Sequence, residues 1–190
     1  MSTDRADLLR EVCACAAAMD LGGAAGLLAR EYPFERMEPS RRRLGASAAL
    51  RVFRRDGFVD RYSGKRLLFP GVLRLLSALL PREFPYQRNW KVSETHPAYW
   101  ELYPTLDHID PVARSGLDAD SNWLTTSMLR NSAKSHWTLR DLGWTVHPCG
   151  DLKEWDGMEG WFVAFVEAHP DIAGAPGIGM WIRASRAQTG

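Results

Sequence analysis

Leu106-Asp107-His108-Ile109-Asp110-Pro111, then Asn122, then Asn131-Ser132-Ala133-Lys134: this spacing decides how the chain folds and what chemistry it carries. The pattern predicts a strand over 105–109, and Asp110-Pro111 ends it, because proline cannot donate to a ladder. A connection rich in Gly, Asp and Ser follows, then a second strand over 122–126 and a helix over 127–135. Asp107 offers a hard anionic oxygen, and its neighbour His108 is the side-chain type best suited to accept a proton near neutral pH. Neighbours on a strand point to opposite faces, so the two share a direction only if the strand ends or twists there. Asn131 and Lys134 lie three apart on the helix and share a face, setting an amide oxygen beside a cation. A carboxylate, an amide oxygen, an imidazole and an ammonium together suit metal-assisted attack of water on a phosphodiester.

Upstream of this segment the periodicity is helical. Residues 3–30 read as helix, interrupted at Gly22 and Gly23. A second helix is expected to start at Ser40, a good N-cap, and to stop at Gly57. Segments 58–62 and 66–69 flank Ser63-Gly64-Lys65 as a tight hairpin. Pro70 opens a helix over 71–80 that Pro81 closes. Residues 81–96, with Tyr86 and Trp90, read as a loop packed through its aromatics, and 97–103 as a short helical turn. Downstream, 157–169 and 177–187 are amphipathic helix candidates. The chain is mostly α with small β-hairpins, an α+β protein.

The pattern Asp-His-x-x-Pro, an Asn fourteen residues after the His, another Asn nine later and a Lys three beyond resembles the HNH endonucleases, the ββα-metal or His-Me finger nucleases. The Asn-x-x-Lys ending is similar to that of the HNH nuclease domain of RNA-guided CRISPR effectors. The specific likeness covers the 28 residues from Asp107 to Lys134. A looser one extends upstream through Phe53-Arg54-Arg55-Asp56-Gly57-Phe58 and Tyr62-Ser63-Gly64. Many family members carry a zinc-bearing Cys-x-x-Cys knuckle there; this sequence has none, so no structural zinc is expected. Residues 1–45 and 141–190 match no feature of the family.

The resemblance implies a small ββα-metal core over 50–140; the helical periodicity on either side adds helical regions at 1–45 and 141–190, and a single domain is expected. It implies metal-dependent endonucleolytic hydrolysis of DNA, nicking or double-stranded, with one divalent cation. His108 would be the general base, Asp107 and Asn131 the metal ligands, and Asn122 a brace for the loop that orients His108. Lys134 would bind a phosphate oxygen. With oxygen ligands only, Mg²⁺ or Mn²⁺ is favoured over zinc. Two alternatives stay open: a non-catalytic DNA-binding module that keeps the fold, and an RNase or structure-selective nuclease using the same site.

Composition sets the outer limits. The chain has 190 residues, 45% hydrophobic and 25% charged, enough for a packed core and too apolar for wholesale disorder. Three cysteines, Cys13, Cys15 and Cys149, make no disulfide framework, and the first two read as small core residues. No apolar run is long enough for a membrane span, and the acidic start does not read as a signal peptide, so a cytoplasmic location is expected. Net charge is +1, but Arg36 to Arg74 holds eleven Arg or Lys against three acids, a local +8 that leaves −7 elsewhere. Arg41, Arg42, Arg43, Arg54, Arg55, Arg61, Lys65 and Arg66 are the candidate contacts to duplex phosphates, with Arg114 from the loop between the strands. Six acids lie in 151–171 and are a candidate docking face for a protein partner or a second copy. Trp123 is expected to anchor the second strand. His96, His136, His147 and His169 are set aside as surface or capping residues.

Overall fold

The computed structural model describes residues 4–34 and 45–187. The chain divides into two compact units, Met1–Pro39 and Ser40–Gly190. In the first, α1 (Arg5–Ala17) and α2 (Leu21–Glu31) pack on one another. The break between them falls at 18–20, ahead of the predicted Gly22-Gly23. Asp20 caps α2 by accepting from the Gly23 N–H at 2.9 Å. A Cβ at Gly23 would stand 2.2 Å from an Asp20 carboxylate oxygen, so the glycine admits the cap and does not end the helix. Cys13 is exposed and Cys15 half-buried, which corrects their reading as core residues.

The second unit runs α3 (Ala46–Arg55), α4 (Pro70–Leu79), α5 (Ala98–Glu101), β1 (Pro104–His108), β2 (Trp123–Ser127), α6 (Met128–Lys134), α7 (Leu139–Leu142), α8 (Glu159–Ala168) and α9 (Ile178–Arg186). It is a mixed α/β fold in which helices predominate around a two-stranded antiparallel sheet. The core gathers the apolar faces of α3, α4, α8 and α9 about Phe69, whose ring lies 5.1 Å from Phe162, 5.6 Å from Trp181 and 6.3 Å from Phe58. Fully burying one such side chain contributes roughly 1.5–3 kcal/mol. A second cluster seats Tyr99 among Phe84, Tyr86, Trp90 and Tyr103, so the 81–96 loop does pack through its aromatics. Among the described residues, no helix is long and apolar enough to cross a membrane.

Helix α3 stops where Gly57 predicts. Gly57 takes φ +67° and its N–H bonds the Arg54 carbonyl, while the Phe58 N–H reaches back to Phe53, a Schellman ending. A Cβ there would meet the Gly150 carbonyl at 2.4 Å. The start predicted at Ser40 lies outside the described residues. The hairpin over 58–69 is reduced to a single bridge, Val59 with Arg66. Its first arm turns instead to the outer edge of β2. The Arg61 N–H bonds the Thr125 carbonyl at 2.9 Å, Asp56 accepts from Thr125 N at 2.7 Å, and Asp60 accepts from Ser127 N at 3.1 Å. Two buried carboxylates thus close an edge that a full hairpin would have left open.

Candidate functional site

Strands β1 and β2 pair in a register that sets His108 opposite Trp123 and Pro104 opposite Ser127. Helix α6 follows β2 at once, its first turn capped by the Ser127 hydroxyl, which accepts from Arg130 N at 3.2 Å. Each of these three elements lies within a residue or so of its predicted span. Hairpin and helix bring His108, Asp107, Asn122, Asn131 and Lys134 into one small region, but in two groups.

The first group is on the α6 side. Lys134 is fully buried; its ammonium lies 2.9 Å from Asp107 Oδ2 and donates to the His108 carbonyl at 2.7 Å. The Tyr62 hydroxyl donates to the same Asp107 oxygen at 2.6 Å. Burial, with Asp107 beside it, pushes the Tyr62 hydroxyl far above the usual phenol range, so it remains a donor. Lys134 therefore holds Asp107 from inside the fold and does not present its charge at the surface, as the reading of it as a phosphate ligand requires. Asn131 donates its amide N–H groups to Thr105 Oγ1 and the Leu106 carbonyl, both at 3.0 Å. The carbonyl accepts only, which fixes the amide orientation. Asn131 Oδ1 and Asp107 Oδ1 then accept no hydrogen bond from any described residue.

The second group is on the opposite face of β1. His108 Nε2 lies 3.0 Å from Asp118 Oδ1, and the Trp123 indole N–H lies 2.9 Å from Nε2 and 3.2 Å from the carboxylate. An indole only donates. The indole N–H is shared between Nε2 and the carboxylate, and both contacts orient the ring through Nε2, with Nδ1 on its other side. The side chains of His108 and Asp118 are 26% and 25% exposed, so solvent reaches the pair.

Asn122 joins the strands to their loop. Its amide accepts from Asp110 N at 2.9 Å and donates to the carbonyls of Asp110 at 2.8 Å and Leu117 at 2.7 Å. Among the described residues, no three His, Cys, Asp or Glu side chains converge as a metal cluster. Asp107 Oδ1 and Asn131 Oδ1 are hard oxygens of the type that suits a Mg²⁺-like ion.

The arginines tell a different story from their sequence reading. Arg54 grips Glu159 with two bonds of 2.9 and 2.7 Å and is only 20% exposed. Arg61 bonds Asp56 at 3.0 Å and the His147 carbonyl at 2.6 Å. Arg55 reaches Asp56 and the carbonyls of Asp120 and Trp123, and Arg114 pairs with Asp141 at 2.9 Å. These four are engaged within the fold, Arg54 and Arg114 by carboxylates distant in sequence and Arg55 and Arg61 by nearby Asp56. Lys65 and Arg66 are exposed, with Arg66 over the Trp155 ring. Arg41, Arg42 and Arg43 lie outside the described residues. The acidic run is likewise partly internal, through Glu159 on Arg54 and Glu167 on Arg186 at 3.2 Å.

Tyr62 and Asp118 are the residues that sequence reasoning missed, and Trp123 does more than anchor a strand. Only the strand register would have flagged Trp123 as the partner of His108. A cavity of about 640 Å³ opens beside His108, its walls including Phe53, Trp90, Tyr103, Trp123 and Trp181. No match is found among known protein families, curated proteins or solved structures.

Proposed function

We propose that the chain is a metal-dependent endonuclease of the HNH type, hydrolysing phosphodiester bonds of DNA. The observation that carries this reading is the hairpin-plus-helix unit of β1, β2 and α6. It carries Asp107 and Asn131, two side chains with oxygen atoms left to bind, on its α6 side, and the oriented imidazole of His108 on the opposite face of the same strand end. A Mg²⁺ or Mn²⁺ ion held by those two oxygens would supply charge stabilisation to the phosphate and to the departing 3′ oxygen.

The chain's own residues do the rest. His108 takes a proton from the attacking water as the water oxygen bonds phosphorus and the bond to the 3′ oxygen breaks, the 3′ oxygen leaving with a proton from solvent. General-base help of this kind is worth about 10²–10⁴-fold in rate. Asp118 and the Trp123 indole hold the ring through contacts at Nε2. Asn122 ties the loop so that the end of β1 cannot fray. Lys134 and Tyr62 keep Asp107 aimed, since both donate to one of its oxygens and leave the other.

The test is a supercoiled plasmid incubated with the protein in Mg²⁺, Mn²⁺ or EDTA, with His108→Ala in parallel. Conversion to open-circle or linear DNA that needs both metal and His108 supports the reading. DNA retained on a gel without metal-dependent cutting returns the protein to a binding module. Cutting of RNA in preference to DNA reassigns the polymer.

A further inference from the structure

We propose that the cavity beside His108 receives one unstacked nucleobase of the strand being cut, so that the substrate is locally unpaired nucleic acid. This deepens the nuclease reading and rests on it. Double-stranded DNA would then be cut where a base leaves the stack.

The cavity is built for a flat group with one polar edge. At about 640 Å³ it has the size of an ordinary small-ligand site and accommodates a nucleobase with its sugar. Five aromatic side chains, Phe53, Trp90, Tyr103, Trp123 and Trp181, form part of its wall, and base-on-ring stacking tolerates any sequence because every base has a π face. Its polar side chains, Thr105, His108 and Asp118, come from β1 and the loop after it. The wall residue Trp90 sits at φ +55°, a backbone conformation that a bulky side chain adopts only when its surroundings enforce it. Here they do: Trp90 meets Tyr99 at 5.4 Å, Trp100 at 5.8 Å and Tyr103 at 5.0 Å, all edge-on. The Trp90 ring is thereby held rigid before any ligand arrives, which lowers the ordering cost of binding.

Position selects the occupant. His108, the residue assigned to activate water, is itself part of the cavity wall. A nucleotide whose phosphate lies within reach of His108 is thus close enough to place its base in the cavity. In a duplex both faces of that base are covered by its neighbours, so entry requires that it be unstacked.

The experiment uses the full chain in EDTA, so that cutting plays no part. A single-stranded oligodeoxynucleotide carrying 2-aminopurine is compared with the same sequence in a duplex. Binding is followed by anisotropy and stacking by quenching of the 2-aminopurine emission. Ala49→Trp fills the cavity from α3, and Ala46→Leu does so with less added volume; thermal melts establish that each variant folds. The expected result is quenching on binding, a single strand held more tightly than the duplex, and on the order of tenfold weaker single-strand binding in a folded cavity-filling variant. Unchanged emission, equal affinity for the duplex, or wild-type affinity in both folded variants overturns the base site. So does uptake of an apolar dye that the oligonucleotide fails to displace. Metal- and His108-dependent plasmid cutting alongside any of these results removes the base site alone. Failure to bind either oligonucleotide, with no cutting, removes the nuclease reading as well.

Discussion

Replacing Lys134 with methionine separates its buried role from a phosphate-binding one. Methionine keeps most of the apolar stem and deletes the ammonium. That leaves Asp107, itself only 8% exposed, as a carboxylate whose sole remaining donor is the Tyr62 hydroxyl, and it strips the His108 carbonyl of its 2.7 Å donor. Removing one partner of a buried ion pair costs about 3–5 kcal/mol, because the other charge is left uncompensated. The surviving Tyr62 bond puts the expected loss near the lower end, about 3 kcal/mol. For a unit of this size that lowers the melting temperature by roughly 10 °C. Urea denaturation of the full chain measures it, wild type beside Lys134→Met. Lys134→Met combined with Asp107→Asn should recover more than half of the loss, since no charge then remains unpaired. A surface lysine changes stability by only about ±0.5 kcal/mol. A loss of that size, or a double variant no better than the single one, would refute the buried pairing.

Asp118→Asn should lower kcat on plasmid DNA by about 10–100-fold with KM nearly unchanged, because a neutral amide no longer stabilises the imidazolium that forms when His108 takes a proton. In nitrogen NMR the imidazole resonances should differ between wild type and variant; identical spectra would remove Asp118 as the orienting group. Asn131→His should shift metal preference from Mg²⁺ towards softer ions, read as cutting rate against metal identity, and an unchanged profile would take Asn131 out of the ligand set. Burial raises the hydroxyl pKa of Tyr62, Tyr99 and Tyr103 above the ordinary phenol value. Folding then favours the protonated phenols. Their contribution is complete below about pH 10 and is lost as pH rises further, because the unfolded chain ionises first. Urea midpoints should fall with pH above about 10, at up to roughly 1.4 kcal/mol per pH unit for each tyrosine, and less steeply in Tyr62→Phe. Equal slopes in wild type and Tyr62→Phe would contradict the burial of that hydroxyl.

Much of the candidate site is written in local chemistry. The spans of β1, β2 and α6, the Ser127 cap and the Gly57 stop are legible because their hydrogen bonds close within a few residues or across one loop. The Asp107, His108, Asn122, Asn131 spacing follows from that hairpin-plus-helix frame and needs no knowledge of the rest of the chain. The hairpin over 58–69 misled for the opposite reason. Its strand pattern is real, but Asp56 and Asp60 offer their carboxylates to β2 from α3 and from that arm, a competition between segments about 65 residues apart.

What the sequence by itself determined is therefore the order of elements, the hairpin-plus-helix frame and the residue types it carries. Tertiary structure alone decided which of those residues are available. It buried Lys134 against Asp107, brought Asp118 to His108 across ten residues of loop, and locked Arg54 onto Glu159, 105 positions away. Charge in a sequence records only that a side chain is ionised. Whether it faces a phosphate or a carboxylate depends on which partner the fold brings within about 4 Å, where Coulomb attraction and desolvation are decided.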